Sequence, residues 1–263
     1  MLNKQRIVAI IQARIGSSRL PGKTLTNIDG KPLLARIIER IQACTKIDDI
    51  LVATTNKPED VEIQTVVSSY GIRSFAGSEN DVLDRFYQAA KLVGADVIVR
   101  ITADDPFKDP QVIDKFISYF LANPEFDFLG EEENNPTFPE GLAVSVFSFN
   151  ALERAWREAI LFSEREHVTP YFLKNAQKFN IGIIRNEQDL SHHRWTLDYA
   201  EDLLFTREIY DRLGHKGIFL MEDILDLLET EPSLANINQG IERSKGCKLS
   251  LQDNFEMLEE AVN

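Results

Sequence analysis

The fold is decided by one stretch near the amino terminus, Ile7-Val8-Ala9-Ile10-Ile11-Gln12-Ala13-Arg14-Ile15-Gly16-Ser17-Ser18-Arg19-Leu20-Pro21-Gly22-Lys23. Its uninterrupted apolar run over 7–11 predicts a strand that is buried on both faces. The loop that follows carries three cations among small residues: Arg14, Arg19 and Lys23. Small residues let backbone N–H groups approach an anion closely, and cations neutralise it, so this loop suits a polyphosphate. A basic surface loop without a ligand is the alternative.

Working outward, apolar strands alternate with amphipathic helices over the first hundred residues. Further strands are predicted at 50–54, 72–75 and 95–101, and helices at 31–41, 58–70 and 80–93, with another beginning at Pro110. This alternation predicts an α/β fold with a mostly parallel, doubly wound sheet. Ligands of such sheets bind at the carboxyl ends of the strands. We therefore expect the segments 14–23, 54–56, 77–79 and 102–105 to converge on one crevice.

The pattern changes after residue 123, where the chain becomes polar and rich in turn residues. A strand over 142–149 predicts a mixed or antiparallel excursion, and Ser163-x-x-Glu166 reads as a capping box for a helix that continues past Tyr171. The remaining predicted elements are a helix at 150–159, strands at 179–184 and 194–197, and helices at 200–213 and 221–228. We expect one domain over 1–263, with an inserted subregion around 127–190.

Composition narrows the class of function. The net charge of −13 argues against nucleic acid as the main partner, although local cations can still bind one anionic small molecule. The sequence has no run of about 20 apolar residues, so we expect no membrane insertion. The two cysteines, Cys44 and Cys247, cannot form a disulfide framework, and no signal-peptide pattern is visible, so a reduced cytoplasm is the expected setting.

Acidic side chains at strand ends suggest a metal site. Asp104 and Asp105 directly follow the predicted strand 95–101, and beside a triphosphate they would need a divalent cation such as Mg²⁺. A helix N-cap at Asp105 or at Asp109, just before Pro110, is the alternative. Asp198 ends a short predicted strand, where the pattern suits a metal ligand and a helix N-cap equally.

Other polar residues have plain structural interpretations. Ser78 or Asn80 would cap the helix at 80–93, and a lone helical histidine such as His167 is more often structural than chemical. The adjacent pair His192-His193 has no third ligand in the pattern and is a weak metal signal.

Several ordered motifs resemble the cytidylyltransferase family, which includes the enzymes that make CMP-sialic acid and CMP-KDO. The opening motif is Ile11-Gln12-Ala13-Arg14-x-Gly16-Ser17-x-Arg19-Leu20-Pro21-Gly22-Lys23, and its variant looks like the SpsF-type branch of spore-coat polysaccharide biosynthesis. The later motifs are Gly77-Ser78-x-x-Asp81-Val82-Leu83-Asp84-Arg85, Phe138-Pro139-Glu140-Gly141, Arg165-Glu166-His167-Val168-Thr169-Pro170-Tyr171 and Trp195-Thr196-x-Asp198-x-x-Glu201-Asp202-Leu203. The resemblance implies a Rossmann-like, nucleotide-diphospho-sugar transferase-like fold and a homodimer.

The resemblance also implies roles for individual residues. Catalysis falls to Arg14, Lys23 and Asp104, and the magnesium ligands are Asp104 and Asp198, with Asp105 as a further candidate. Nucleotide binding falls to Ala13, Arg14, Gly16, Ser17, Ser18, Arg19, Lys23, Ser78, Asp81 and Arg85. The acceptor-binding candidates are Glu140, Arg165 and His167.

The implied activity is Mg²⁺-dependent transfer of a nucleoside monophosphate, with CTP the favoured donor, to an anionic sugar such as a 2-keto sugar acid or a sugar phosphate. Two departures stand out: Asp105 where the branch usually has Cys, and Ala143 and Ser145 where it usually has acids. Asp105 adds an acid beside the expected metal site, whereas the loss of the two acids predicts an acceptor that either differs from that of close relatives or is more anionic. A glycosyltransferase that consumes a nucleotide sugar, and a non-catalytic nucleotide-binding protein, are the alternatives.

Overall fold

The computed structural model describes residues 4–243, and within them seven strands form one mixed sheet. A separate two-stranded hairpin pairs β2 with β3. The strands are β1 (Ile7–Gln12), β2 (Asn27–Ile28), β3 (Lys31–Pro32), β4 (Asp49–Thr55), β5 (Arg73–Gly77), β6 (Val97–Thr102), β7 (Phe128–Gly130), β8 (Ser145–Ser148) and β9 (Ile181–Ile183).

The main sheet has the strand order β5-β4-β1-β6-β8-β7-β9. Strands β5, β4, β1 and β6 are all parallel, whereas β8 runs antiparallel to both β6 and β7. The predicted α/β class with a mostly parallel sheet and an antiparallel excursion is therefore confirmed. Because β1 and β6 pair in register through Gln12 and Thr102, the loops that follow these two strands leave the sheet side by side.

Helices cover both faces of this sheet. They are α1 (Leu33–Gln42), α2 (Val61–Ser69), α3 (Val82–Val93), α4 (Pro110–Ala122), α5 (Phe149–Glu158), α6 (Phe162–His167), α7 (Thr169–Lys174), α8 (Ala200–Leu213) and α9 (Met221–Thr230). Short 3₁₀ turns lie at Lys23–Leu25, Pro58–Asp60, Ala176–Lys178, Gly214–Lys216 and Pro232–Asn236. In the part of the chain that the structure describes, no helix combines the length and the apolar character that a membrane crossing requires.

Strand β1 explains why the opening apolar run does not alternate with polar residues. Its side chains at 7, 9 and 11 belong to a core shared with α1, α4 and α8, while those at 8 and 10 belong to a second core shared with α3, α5 and α7. Every position from 7 to 11 is therefore buried. The prediction of a strand buried on both faces is confirmed.

One predicted capping box was wrong. Helix α6 begins one residue before Ser163, with Leu161 as its N-cap, and it ends at His167 instead of continuing past Tyr171. Pro170 accounts for the break, because a proline inside a helix lacks an N–H and clashes with the preceding turn. Val168 joins α6 to α7 with φ of 68°, which is rare for a β-branched residue.

The stretch around 127–190 adds β7, β8 and β9 to the same sheet. Only residues 145–148 of the strand predicted at 142–149 pair with β6, and β7 was not predicted because its three residues lie in a turn-rich segment. The strand predicted at 194–197 is reduced to an isolated bridge between Arg194 and Glu140. Cys44 is partly buried, whereas Cys247 lies outside the described residues.

Candidate active site

A cavity of about 740 Å³ opens at the carboxyl edge of β1 and β6. Most of the residues singled out from the sequence line it: Arg14, Gly16, Ser17, Ser18, Arg19, Lys23, Arg85, Asp104, Asp105, Glu140, His167 and Asp198. The segments after β1 and β6 thus meet as expected. The segment 54–56 does not line the cavity; Thr55 is buried and contacts Asp60, whose carboxylate accepts a hydrogen bond of 2.7 Å from the Ile15 N–H.

Lys23 joins two predicted metal ligands from distant parts of the chain. Its ammonium group lies 3.0 Å from Asp104 Oδ2 and 2.7 Å from Asp198 Oδ1, and it also donates to the carbonyl of Leu197 at 2.8 Å. Gly22, with φ of 72°, allows the loop to turn immediately before Lys23, whose side chain is buried. Three segments, after β1, after β6 and before α8, therefore meet at one point.

Each member of this cluster stabilises the charge of the others. Burial opposes ionisation of Asp104, but the adjacent Lys23 ammonium prevails and lowers the pKa of Asp104 to about 2. Burial likewise opposes the charge of Lys23, but Asp104 and Asp198 raise the pKa of Lys23 above its ordinary value. Arg19 adds a second cation, with Nη2 2.8 Å from Asp198 Oδ1. Lys23 and Asp104 are thus both charged near neutral pH.

The donor set of Asp104 and Asp198 fits a magnesium ion. Their oxygens already converge on one cationic group, and Mg²⁺ is commonly held by one or two carboxylates together with substrate phosphates and water. Within residues 4–243 no group of three or more His, Cys, Asp or Glu side chains is assembled for a metal. A two-carboxylate site that a phosphate completes is consistent with that finding.

Asp105 has a different set of partners. Its carboxylate accepts a hydrogen bond of 2.6 Å from Thr102 Oγ1 and lies 3.0 Å from the ammonium of Lys108, which is 2 % exposed. Burial raises the pKa of Asp105, Lys108 opposes that shift and Asp104 adds to it. Asp105 therefore compensates a buried lysine that the sequence reasoning missed, although a lysine three residues after an acid was a visible signal. Asp109 is the N-cap of α4, as expected, and accepts hydrogen bonds from the N–H groups of Gln111 and Val112.

Four of the predicted site residues do not line the cavity: Ala13, Ser78, Asp81 and Arg165. Asp81, not Ser78 or Asn80, is the N-cap of α3, and its other carboxylate oxygen lies 2.7 Å from Arg165 Nε. Arg165 also donates to the carbonyls of Trp156 and Ala159, so its contacts brace α3 against the α5–α6 segment. Ser78 supports the same corner, because its hydroxyl accepts from the Asp81 N–H and its carbonyl from Arg85 Nη1.

A family model described as cytidylyltransferase matches residues 8–243, nearly the whole chain. The chain belongs to the cytidylyltransferase family. It is accordingly a nucleotidyltransferase, as the motifs implied.

Two relatives of this cytidylyltransferase-family chain match it over most of their length. An uncharacterized protein of Methanocaldococcus jannaschii is 39% identical over 238 residues, which cover 90% of this chain and 96% of that protein. The spore coat polysaccharide biosynthesis protein SpsF of Bacillus subtilis is 29% identical over 245 residues, which cover 87% of this chain and 96% of SpsF. The predicted resemblance to the SpsF-type branch is thereby confirmed.

Solved structures give the same result for the fold. A cytidylyltransferase from Leptospira borgpetersenii superposes with a TM-score of 0.85 at 31% identity, covering 91% of this chain and all of that one. A CMP-2-keto-3-deoxy-manno-octonic acid synthetase complexed with CTP superposes with a TM-score of 0.63 at 18% identity, covering 79% of this chain and 99% of that one. At that identity the second match supports the Rossmann-like nucleotidyltransferase fold alone.

Glu140 and His167 also line the cytidylyltransferase cavity. Burial lowers the pKa of His167, and its Nε2 lies 3.6 Å from a carboxylate oxygen of Glu166. Glu140 Oε2 accepts a hydrogen bond of 2.7 Å from Nη1 of Arg194, a lining residue that the sequence reasoning also missed. Arg194 opens the Arg194-Trp195-Thr196-x-Asp198 motif. A cation beside an acid in this motif was the signal that could have identified it. His192 and His193 line a separate, smaller cavity of about 160 Å³.

Proposed function

We propose that this chain is a Mg²⁺-dependent cytidylyltransferase that transfers CMP from CTP to an anionic sugar and releases pyrophosphate. The observation that carries the proposal is the contact of Lys23 with Asp104 and Asp198 at the carboxyl edge of β1 and β6. Relatives named 3-deoxy-manno-octulosonate cytidylyltransferase, 36% identical over 120 residues in one case, support CTP as the donor.

In this proposal the basic loop holds the triphosphate. Arg14, Arg19 and Lys23 neutralise its charge, and the backbone N–H groups of Gly16 to Ser18 and of Ala13 add hydrogen bonds. Lys23 passes from the carboxylates to the phosphates as the nucleotide binds. Arg85 lines the nucleobase end of the cavity, and Ser78 and Asp81 hold that corner in place.

Asp104 and Asp198 would hold the Mg²⁺, with Asp105 retained as the partner of Lys108. When bound, the ion supplies positive charge at the α-phosphate, where negative charge develops during phosphoryl transfer. The protein's own contribution is to place the acceptor hydroxyl in line with the α-phosphate and to stabilise the departing pyrophosphate with Arg14, Arg19 and Lys23.

The acceptor lies, in this proposal, against Glu140 and His167. Ala143 and Ser145 line the same wall. Since the usual acids of the branch are absent at these two positions, the wall repels an anionic acceptor less, which favours a 2-keto sugar acid or a sugar phosphate. Arg165 lies outside this wall, in the same helix α6 as His167, and ties that helix to Asp81. By analogy with SpsF, the product would serve surface polysaccharide or glycan synthesis in the cytoplasm.

A substrate screen tests the proposal. The four ribonucleoside triphosphates are each incubated with Mg²⁺ and a panel of 2-keto sugar acids and sugar phosphates, and pyrophosphate release is recorded. We expect release from CTP with one class of acceptor. Release from no triphosphate, together with release of a nucleoside mono- or diphosphate from a nucleotide sugar, would instead indicate a glycosyltransferase.

A further inference from the structure

One buried arginine lies among three carboxylates in the cavity wall. Arg194 is 7 % exposed, and its Nε and Nη2 donate to the two oxygens of Asp202 at 2.9 and 3.0 Å. Its Nη1 donates to Glu140 at 2.7 Å, and its Nη2 lies 3.6 Å from Asp198 Oδ2. A guanidinium has a planar fork of donors, so it fixes the directions as well as the distances of its partners.

Through Asp202, Arg194 controls the backbone at Asp198. The Oδ2 atom of Asp202 accepts hydrogen bonds from the N–H groups of Asp198 and Tyr199, at 2.9 and 3.0 Å. Asp202 is fully buried, and Asn238 secures the arrangement by donating to both Asp202 Oδ1 and the Arg194 carbonyl at 2.9 Å. The orientation of Asp198 is therefore set by the Arg194–Asp202 pair.

The other arm of the guanidinium reaches Glu140 on the neighbouring segment. The segments of Glu140 and Arg194 lie side by side, because the Glu140 N–H donates to the His193 carbonyl at 2.9 Å and the Trp195 N–H donates to the Glu140 carbonyl at 2.8 Å. Arg194 and Glu140 both line the cavity. The Arg194 side chain thus contacts both Asp198 and Glu140.

We propose that Arg194 is a positioning residue that holds Asp198 for the divalent cation and Glu140 for the sugar acceptor. Stability alone is a poor explanation for it, because a buried ion pair is often no more stabilising than apolar side chains of the same volume. Capping α8 requires Asp202 but no arginine. The inference rests on the proposed function, in which Asp198 is a magnesium ligand.

The test uses Mn²⁺ as a spectroscopic substitute for Mg²⁺, titrated by water-proton relaxation in the presence of CTP. Arg194→Lys keeps the charge and removes the fork, and we expect the affinity for Mn²⁺ to fall by about 10- to 100-fold, as for other groups that orient metal ligands. Glu140→Ala removes the acceptor of the other arm and should leave the affinity for Mn²⁺ unchanged. Arg40→Lys is the matched control, because Arg40 is also buried but binds the carbonyls of Lys108 and Phe219 and does not line the cavity.

Arg194→Lys with the wild-type affinity for Mn²⁺ would overturn the inference. So would an equal loss in Arg194→Lys and Arg40→Lys, because general destabilisation would then explain both. If Arg194→Lys does not fold, Asp202→Asn is the second variant, and failure of both to fold would assign the network to stability alone. If the wild-type protein binds no Mn²⁺ with CTP, the proposed function fails as well; a wild type that binds it and an Arg194→Lys that binds it equally well refute only the positioning role.

Discussion

At the scale of single residues, Lys23 has the most consequential contacts in the cavity. Its ammonium is shared by Asp104 and Asp198, and its own charge is maintained by both. Without Lys23, two carboxylates would face each other in a partly desolvated cavity, where like charges oppose ionisation. Lys23 therefore favours the ionised form of Asp104 in the free protein.

Replacement of Lys23 tests its role in the cavity. Lys23→Met should lower the rate of pyrophosphate release from CTP by about 10²-fold or more, since it removes a preorganised charge at the developing negative charge. The control is Lys216→Met, which breaks an exposed ion pair with Asp223 and should retain full activity. A continuous pyrophosphate assay measures both variants. Wild-type turnover in Lys23→Met would refute the assigned role.

Single residues also show where sequence reasoning succeeds. Lys23 and Asp104 were predicted because each follows a buried strand, and parallel strands deliver their carboxyl ends to one edge. Lys108 and Arg194 were missed because the acids near them in the sequence do not by themselves show that these two side chains are buried in the cavity wall. Arg165 was nominated by resemblance alone, and the structure places it outside the cavity.

At the scale of elements, a single glycine determines how the turn before β8 meets the segment before α8. Gly141 has φ of 94°, and a Cβ there would lie 2.8 Å from Asp105 Oδ1, 2.9 Å from Thr196 N and 3.0 Å from the carbonyl carbon of Trp195. Those are rigid neighbours, two of them backbone atoms. The close approach at this turn lets Glu140 reach Arg194.

Gly141→Ala should therefore lower the free energy of unfolding more than the same substitution at a left-handed glycine with open space around it. Gly71 has φ of 70°, and a Cβ added there would have no atom within 4 Å. We therefore expect Gly71→Ala to cost about 1–2 kcal/mol of unfolding free energy, for the backbone conformation alone. The clash at Gly141 should add about 1–3 kcal/mol to a similar backbone cost. Urea unfolding of both variants measures the difference. Equal costs would show that the turn before β8 can relax.

The burial of Cys44 beyond the end of α1 predicts that the free energy of unfolding depends on pH. Burial, reinforced by Asp114, raises the pKa of the Cys44 thiol at the end of α1 to about 12. An unfolded thiol ionises near about 8.5, so the folded protein is favoured fully below that value and loses stability as the pH rises toward 12, by at most about 1.4 kcal/mol per pH unit. Cys44→Ala should lose less unfolding free energy than the wild type between pH 7.5 and 9.5 in urea titrations. Parallel losses would contradict the raised pKa.

Most elements were predictable from local pattern. The helix predicted at 200–213 matches α8 because its start and end follow the apolar period. The α6–α7 segment was misread as one helix, because the capping-box pattern at Ser163 outweighed the break that Pro170 imposes. Strand β7 has three residues and depends on β8 and β9 for its pairing, so no local signal could reveal it.

At the scale of the whole molecule, charge is distributed unevenly. The chain carries a net charge of −13, yet eight cationic and eight acidic side chains line the cavity within the described residues. An acidic surface around a locally neutral cavity is compatible with one anionic ligand and unfavourable for nucleic acid. Composition alone predicts that nucleic acid is unfavourable as a partner. The equal numbers of cationic and acidic side chains inside the cavity depend on which segments the sheet order brings together.

The family resemblance implies a homodimer, with the region around 127–170 as the contact. We expect light scattering after size-exclusion chromatography to give twice the chain mass of 30.0 kDa. Ile160, which is 88 % exposed, lies in that region, and Ile160→Asp should weaken the association because it would place a charge in the interface. A monomer at all concentrations would contradict this prediction.

The proposed reaction transfers CMP, with the α-phosphate of CTP, to a sugar bound in the cavity. The most direct test follows labelled phosphate in a reaction with Mg²⁺ and the acceptor found by the screen. We expect label at the α position to enter the sugar product and label at the γ position to leave in pyrophosphate. Asp104→Asn should abolish both. Label that never enters any acceptor, while a nucleotide sugar releases its nucleotide in the same cavity, would contradict it.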